Sequence, residues 1–90
     1  MIKLVLNGKE ISSEQQIHRL LADTLDFPAW YGENLDALFD CITDVTDDVE
    51  ISVVESDDLV ARLGERALLI LTVLRDAAAE NSRLKISVEK

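Results

Sequence analysis

Apolar positions recur along this chain with two different periods, and the switches between them outline seven elements. Ile2, Leu4 and Leu6 alternate with Lys3 and Val5, which predicts a short strand with one apolar face. The turn dipeptide Asn7-Gly8 follows. Ser12 or Ser13 then opens a helix, with Gln15 or Gln16 three residues on as in a capping box. Ile17, Leu20, Leu21 and Leu25 fall on one side of that helix. Asp26-Phe27-Pro28 ends it, because proline drives the preceding residue out of helical conformation. A loop from Pro28 to Glu33 leads to a second helix capped by Asn34, with Leu35, Leu38, Phe39 and Ile42 at helical spacing.

The β-branched run Val49 to Val54 predicts a second strand. Ser56-Asp57-Asp58 is expected to cap a short third helix, which Gly64 can stop in the left-handed conformation. Ala67 to Ala79 predicts a long fourth helix. Its run Ala67-Leu68-Leu69-Ile70-Leu71 is apolar around much of its girth, so this element is expected to be the most buried. After Asn81-Ser82, the clean alternation of Leu84 to Val88 predicts the last strand. The order is β-α-α-β-α-α-β. Each strand-to-strand connection is long enough for a helical crossover, which points to an α/β fold with a three-stranded parallel sheet and right-handed connections. Lys3, Ser52, Lys85 and Ser87 occupy the alternate faces of the strands, so two layers are expected, with helices on one face and water on part of the other.

Ninety residues are read as a single domain spanning 1–90. A chain of this size buries only about 60–65% of its unfolded surface, leaving little stability in reserve. Nearly half the residues are apolar, which argues against disorder. No apolar run approaches the ~20 residues of a membrane span, and the polar Asn7-Gly8-Lys9-Glu10 interrupts any signal-peptide layout. One cysteine excludes an internal disulfide and suits a reducing compartment. These features predict a soluble, cytoplasmic protein.

Charge changes the picture more than any of these totals. Between Leu20 and Ala61 there is no lysine or arginine, whereas the same stretch holds twelve acids. The formal net charge of −9 is thus −12 from the middle and +3 from the two ends. Such a chain is a poor ligand for nucleic acid or an anionic membrane, whose phosphates would repel it. A crowd of like charges costs a fold stability, and a basic protein partner would explain its retention.

The second helix concentrates that charge. At about 100° per residue, Asp36, Asp40, Thr43 and Asp44 lie together, roughly opposite the apolar stripe. Asp36 suits the helix N-terminus, Asp40 is a poor helix former in mid-helix, and the macrodipole opposes Asp44. The pairs Asp36/Asp40 and Asp40/Asp44 each cost about 0.2–0.5 kcal/mol by repulsion. Most charge runs are only solvated faces, but those mix signs, and this one has no base nearby in sequence. Truncating one partner of a charge pair buried at an interface costs ~2–5 kcal/mol, which exceeds the local penalty. In the loop before this helix, Trp30 and Tyr31 are adjacent, so both cannot easily enter one core, and one is expected at the surface as an interface anchor. Gly32 leaves room for another backbone to approach.

The run WYGENLDALFDCITD, Trp30 to Asp44, resembles the signature segment of the barstar family, intracellular inhibitors of a secreted bacterial ribonuclease. The resemblance extends over essentially the whole chain, through Leu6-Asn7-Gly8, His18-Arg19-Leu20, Pro28 and Leu74-Arg75-Asp76-Ala77. It implies a three-stranded parallel sheet of order 1-2-3 packed against helices. It also implies that the second helix and its preceding loop plug the enzyme's active site. By that resemblance Asp40 occupies the substrate-phosphate site, facing arginines and the catalytic histidine, and Asp36 pairs with another arginine. Gly32, Asn34, Leu35 and Thr43 match contact positions. Trp30 replaces a tyrosine that stacks near the catalytic histidine, and Asp76 replaces a glutamate that supplies a peripheral charge. Three positions depart from the pattern: Phe39 stands for a contact tryptophan, and Asp44 and Val45 stand for glycine and tryptophan.

The resulting expectation is a monomer that blocks a basic, extracellular-type ribonuclease in a 1:1 complex by mimicking RNA phosphates. Its partner-binding residues are Trp30, Tyr31, Gly32, Asn34, Leu35, Asp36, Phe39, Asp40, Thr43, Asp44, Val45 and Asp76. The alternative is an acidic immunity or binding module for another basic nuclease toxin or nucleic-acid-binding protein. No enzyme activity, cofactor, metal, nucleic acid or membrane is expected. An Asp36/Asp40 catalytic pair would need a cleft and a raised pKa, which a convex helix face does not offer. Asp44 to Glu50 lacks the glycine and ligand spacing of a calcium loop. His18 is read as an ordinary, partly buried histidine. Cys41 is read as a small buried residue whose acidic surroundings disfavour a thiolate.

Overall fold

The three predicted strands, β1 (Ile2–Asn7), β2 (Val49–Val54) and β3 (Leu84–Val88), form one parallel sheet in a computed structural model that describes residues 1–90. The strand order is β1-β2-β3. Four helices fill the connections: α1 (Glu14–Leu25), α2 (Leu35–Thr43), α3 (Ser56–Leu63) and α4 (Glu65–Glu80). The β-α-α-β-α-α-β order and the all-parallel pairing are those expected from the hydrophobic periods.

Register explains the layering. Ile2, Val49 and Leu84 lie side by side across the three strands, as do Leu4, Ile51 and Ile86, and then Leu6, Val53 and Val88. These three rows make one apolar face, against which the helices bury Ile17, Leu21, Leu38, Ile42, Leu59, Ile70 and Leu74. The other face carries the rows Lys3, Glu50, Lys85 and Val5, Ser52, Ser87. Lys3, Val5, Lys85 and Ser87 are exposed there, and the Glu50 and Ser52 side chains between them are only half-buried. A cation on each outer strand therefore flanks a carboxylate on the central one, a favourable cross-strand arrangement.

Three local expectations are corrected. The most buried element is β2, none of whose residues is exposed, and not α4. In α4 only the stripe Ala67, Ile70, Leu71, Leu74 and Ala77 is buried, whereas Leu68 and Leu69 face outward. The helix lies against the sheet on one side only, so its apolar girth exceeds what the core can cover. Ser56 is not a cap either: it is buried as the first residue of α3, behind Glu55 in the left-handed region (φ 53°). The start of α3 needs no side-chain cap there, because the Ser56 N–H donates to the Glu89 carbonyl at 3.0 Å, continuing the strand ladder. Finally, α1 stops because Asp26 itself turns left-handed (φ 55°), with the N–H groups of Asp26 and Phe27 both donating to the Ala22 carbonyl. The Phe27–Pro28 bond is trans.

The capping box at α1 is shared between both serines. Ser13 Oγ accepts from the Gln16 N–H, while Gln16 Oε1 accepts from the Ser12 N–H. Gly64 ends α3 and immediately begins α4 at φ 64°, ψ −138°, a conformation open in practice only to glycine. Gly8 is small for a different reason: a Cβ there would lie 1.9 Å from the Glu55 carbonyl oxygen. The two glycines should therefore respond differently to alanine. Gly64→Ala is expected to cost about 1–3 kcal/mol through backbone strain. Gly8→Ala should cost more, since backbone atoms must move apart, and urea denaturation of both variants would check the order.

Candidate protein-binding site

Helix α2 is set by its two ends and its apolar stripe. At the start, Asn34 Oδ1 accepts from the Ala37 N–H at 2.8 Å, one of the donors left free in a first helical turn. Glu33 takes the left-handed turn before it (φ 52°), and Gly32 makes room for the cap itself. A Cβ on Gly32 would come within 2.9 Å of Asn34 Nδ2. At the far end, Asn81, the C-cap of α4, donates through Nδ2 to the carbonyls of Thr43 (3.1 Å) and Val45 (3.0 Å). Thr43 Oγ1 donates back to the carbonyl of Phe39 at 2.7 Å, with that of Asp40 at 3.1 Å, so the hydroxyl is engaged within its own helix.

With Leu38, Cys41 and Ile42 buried and Leu35 and Phe39 half-buried, helical geometry turns Asp36, Asp40 and Asp44 into solvent. None of the three pairs with a base of this chain. The ion pairs present are Lys9–Glu55, His18–Glu14, Arg66–Glu14 and Arg83–Asp48, none of which includes a residue of α2. Val45 is half-buried just beyond the helix. Asp76 is exposed on α4, the helix whose end is tied to that of α2. Burial pushes the Cys41 thiol pKa up, and the charges of Asp40 and Asp44 add to the effect, so this cysteine stays a thiol.

The loop before α2 divides its two aromatics as anticipated. Trp30 is 76% exposed, the largest apolar side chain left in water. Tyr31 turns inward, meeting the edge of Phe27 at a centroid distance of 5.0 Å. Its hydroxyl lies 2.5 Å from His18 Nδ1. Burial, with the nearby acidic groups Cys41, Glu33 and Glu14, drives the Tyr31 pKa upward, so the phenol keeps its proton. We assign that proton as the donor to Nδ1, which leaves Nε2–H to face Glu14 Oε2 at 3.4 Å. Glu14 in turn receives a two-pronged contact from Arg66, at 2.8 and 2.7 Å.

His18 is therefore fully buried, not partly, and both its ring nitrogens have partners. The chain Arg66–Glu14–His18–Tyr31 joins α4, α1 and the Trp30 loop. Sequence reading missed this support. Its one visible sign was the Glu14/His18 spacing of four, which places both on one helix flank.

The geometry can be set beside known proteins. A family model described as Barstar (barnase inhibitor) matches residues 1–89. The chain belongs to the barstar family. It is also 35% identical over 91 residues to a Bacillus subtilis (strain 168) protein named "Putative ribonuclease inhibitor YrdF", covering 99% of this chain and all of that one. The barstar family is one of inhibitors, and the barstar strand order expected from the resemblance is the one observed. No helix of this barstar-family chain is long and apolar enough to cross a membrane.

Two outcomes are expected from the buried chain of polar groups. Tyr31→Phe leaves a buried ring nitrogen without its partner and should destabilise the fold by about 1–3 kcal/mol in urea denaturation. The Arg66 guanidinium holds Glu14 below its ordinary pKa of 4.5, ahead of a smaller opposing effect of burial. A carboxylate whose folded value is depressed contributes stability above its unfolded value, and the contribution disappears as pH falls through the folded one. Arg66→Ala should accordingly raise the Glu14 midpoint in a carboxyl-carbon NMR titration, lower stability at neutral pH, and flatten the further loss of stability as pH falls below Glu14's ordinary pKa of 4.5.

Proposed function

We propose that this protein inhibits a basic, secreted-type bacterial ribonuclease by seating the acidic face of α2 and the Trp30 loop in the enzyme's RNA-binding cleft. A ribonuclease cleft is cationic because it must hold phosphates. Asp36 and Asp40, about 6 Å apart along a helix axis, present carboxylates at fixed spacing to those anion sites. Asp40 takes the substrate-phosphate position and Asp36 engages a neighbouring arginine. Trp30 supplies a large exposed ring for stacking. Tyr31, Gly32, Asn34, Leu35, Phe39, Thr43, Asp44, Val45 and Asp76 complete the contact surface or hold it in shape. The protein acts in the cytoplasm as a monomer and makes a 1:1 complex.

The observation that carries this reading is that three carboxylates stand exposed along one side of α2 and its C-cap with no intramolecular ion pair. Membership of an inhibitor family supports the same conclusion. Phe39, Asp44 and Val45, where the family pattern has other residues, favour a target surface different from that of the family's namesake enzyme.

Inhibition assays against small, basic, secreted bacterial ribonucleases test the proposal. Asp40→Ala should weaken inhibition by roughly 30-fold or more, the consequence of ~2–5 kcal/mol for truncating one partner of a buried charge pair. That range draws partly on barnase and barstar themselves. Because Asp40 is exposed, folding stability should change by no more than about 0.5 kcal/mol. Undiminished inhibition by Asp40→Ala would refute phosphate mimicry. Association should also slow as ionic strength rises, since the Debye length shrinks to about 10 Å at 0.1 M.

A further inference from the structure

Helix α4 carries more apolar surface than the core uses. Leu68 is 52% exposed and Leu69 36% exposed, away from the buried stripe of the same helix. They do not stand alone. Glu65, Leu68, Thr72, Arg75 and Ala79 are all exposed and recur at intervals of three, four, three and four residues. That is the spacing of a coiled-coil seam, so the five form one line along the 16-residue helix, with Leu69 on its flank. Glu65 and Arg75 enter no ion pair within the chain. The Thr72 hydroxyl donates to the Leu68 carbonyl at 2.9 Å, so Thr72 brings no unsatisfied donor into a contact.

The line is its own complement when reversed. Two copies of α4 can be set antiparallel about a two-fold axis level with Ile70. Leu68 then meets Thr72 of the second copy, twice, at the centre, and Glu65 meets Arg75 of the second copy, twice, at the ends. Leu69 lies one position from the axis and closes the centre from the side. A parallel pair would instead set Glu65 on Glu65 and Arg75 on Arg75, so charge selects the antiparallel arrangement.

We infer that this face of α4 docks a second copy of the chain in an antiparallel, two-fold symmetric pair. The face is small. One helix from each protomer falls at the low end of protein interfaces, below about 1,200 Å² in total. The net charge of −9 on each copy also opposes their approach. The pair is therefore weak and reversible, and the monomer of the proposed function is the species at low concentration. The inference does not depend on the inhibitor reading, since the line lies on α4 and the acidic row on α2.

Sedimentation equilibrium of the intact protein tests it, in about 0.15 M salt, where a Debye length of about 8 Å screens repulsion between distant charges. From micromolar to millimolar protein, the average mass should climb from 10.0 kDa towards twice that value. Leu68→Lys, which sets a charge in the apolar centre, should weaken pairing by roughly tenfold or more. Arg75→Glu, which faces acid with acid, should weaken it by roughly fivefold. The exchanged variant Glu65→Arg/Arg75→Glu should recover most of that loss, because both contacts re-form with their signs reversed. These positions are exposed, so the variants should fold, which circular dichroism would verify. Amide NMR shifts on dilution should centre on Leu68, Leu69 and Thr72. A parent that stays at 10.0 kDa throughout would leave this face to some other protein and overturn the assignment. A pair that survives Leu68→Lys, an exchanged variant no better than Arg75→Glu, or shifts centred on β1 or β3 would each do the same.

Discussion

The burial of Leu38 and Ile42 in the core, where α2 packs on α4, fixes nearly everything that matters about this surface. Both side chains are completely inaccessible, and they belong to one short helix. Withdrawing either from the core would forfeit about 1.5–3 kcal/mol of apolar transfer free energy. The like-charge repulsion along Asp36, Asp40 and Asp44 is smaller, a few tenths of a kcal/mol for each neighbouring pair. The helix therefore cannot rotate to relieve its own electrostatic strain. The core holds the carboxylates outward, and the two Asn81 bonds to the end of α2 stop the last turn from fraying under the adverse dipole at Asp44.

The preceding loop is held by a separate device. Tyr31 and Trp30 are neighbours with opposite fates, and the difference lies in what receives the tyrosine. A buried imidazole, oriented by a carboxylate that is itself clamped by an arginine, gives the phenol a partner inside the protein. Once Tyr31 is anchored there, the short connection to Asn34 leaves Trp30 projecting into water. An exposed aromatic on a pinned loop binds at lower entropic cost than one on a free loop.

The hydrophobic periods made the architecture legible because each element's apolar stripe is consumed by one shared core. Strand pairing, helix order and the caps at Ser13 and Asn34 followed from patterns a few residues long. Local rules failed where distant backbone intervened. The Ser56 expectation was a sound reading of helix-start chemistry, but Glu89, just past β3, supplies the hydrogen bond instead. The burial of α4 was overestimated because a sequence shows how apolar a helix is and not how many neighbours it has. Among the site residues, the outward aspartates could be placed from the wheel alone, since Leu35, Leu38, Phe39 and Ile42 mark the inward side. The polar support of the Trp30 loop could not, because it joins Arg66, Glu14, His18 and Tyr31 across three parts of the chain with only the Glu14/His18 spacing visible in sequence.

The distribution of positive charge completes the argument for a surface kept open to a cationic partner. Arg62 is used on the carbonyls of Gly8 and Ile11, tying the β1–α1 connection to α3. Arg66 holds Glu14, Arg83 meets Asp48, and Lys9 reaches Glu55. Lys3 and Lys85 flank Glu50 on the open face of the sheet. None of these bases, nor Arg19, Arg75 or Lys90, makes an ion pair with the exposed row on α2. If solvation alone governed that row, exchanging one of its acids for lysine would relieve the repulsion at no structural cost, because the position is already in water. An incoming basic cleft supplies the counter-charge that the chain withholds, and it does so only when bound.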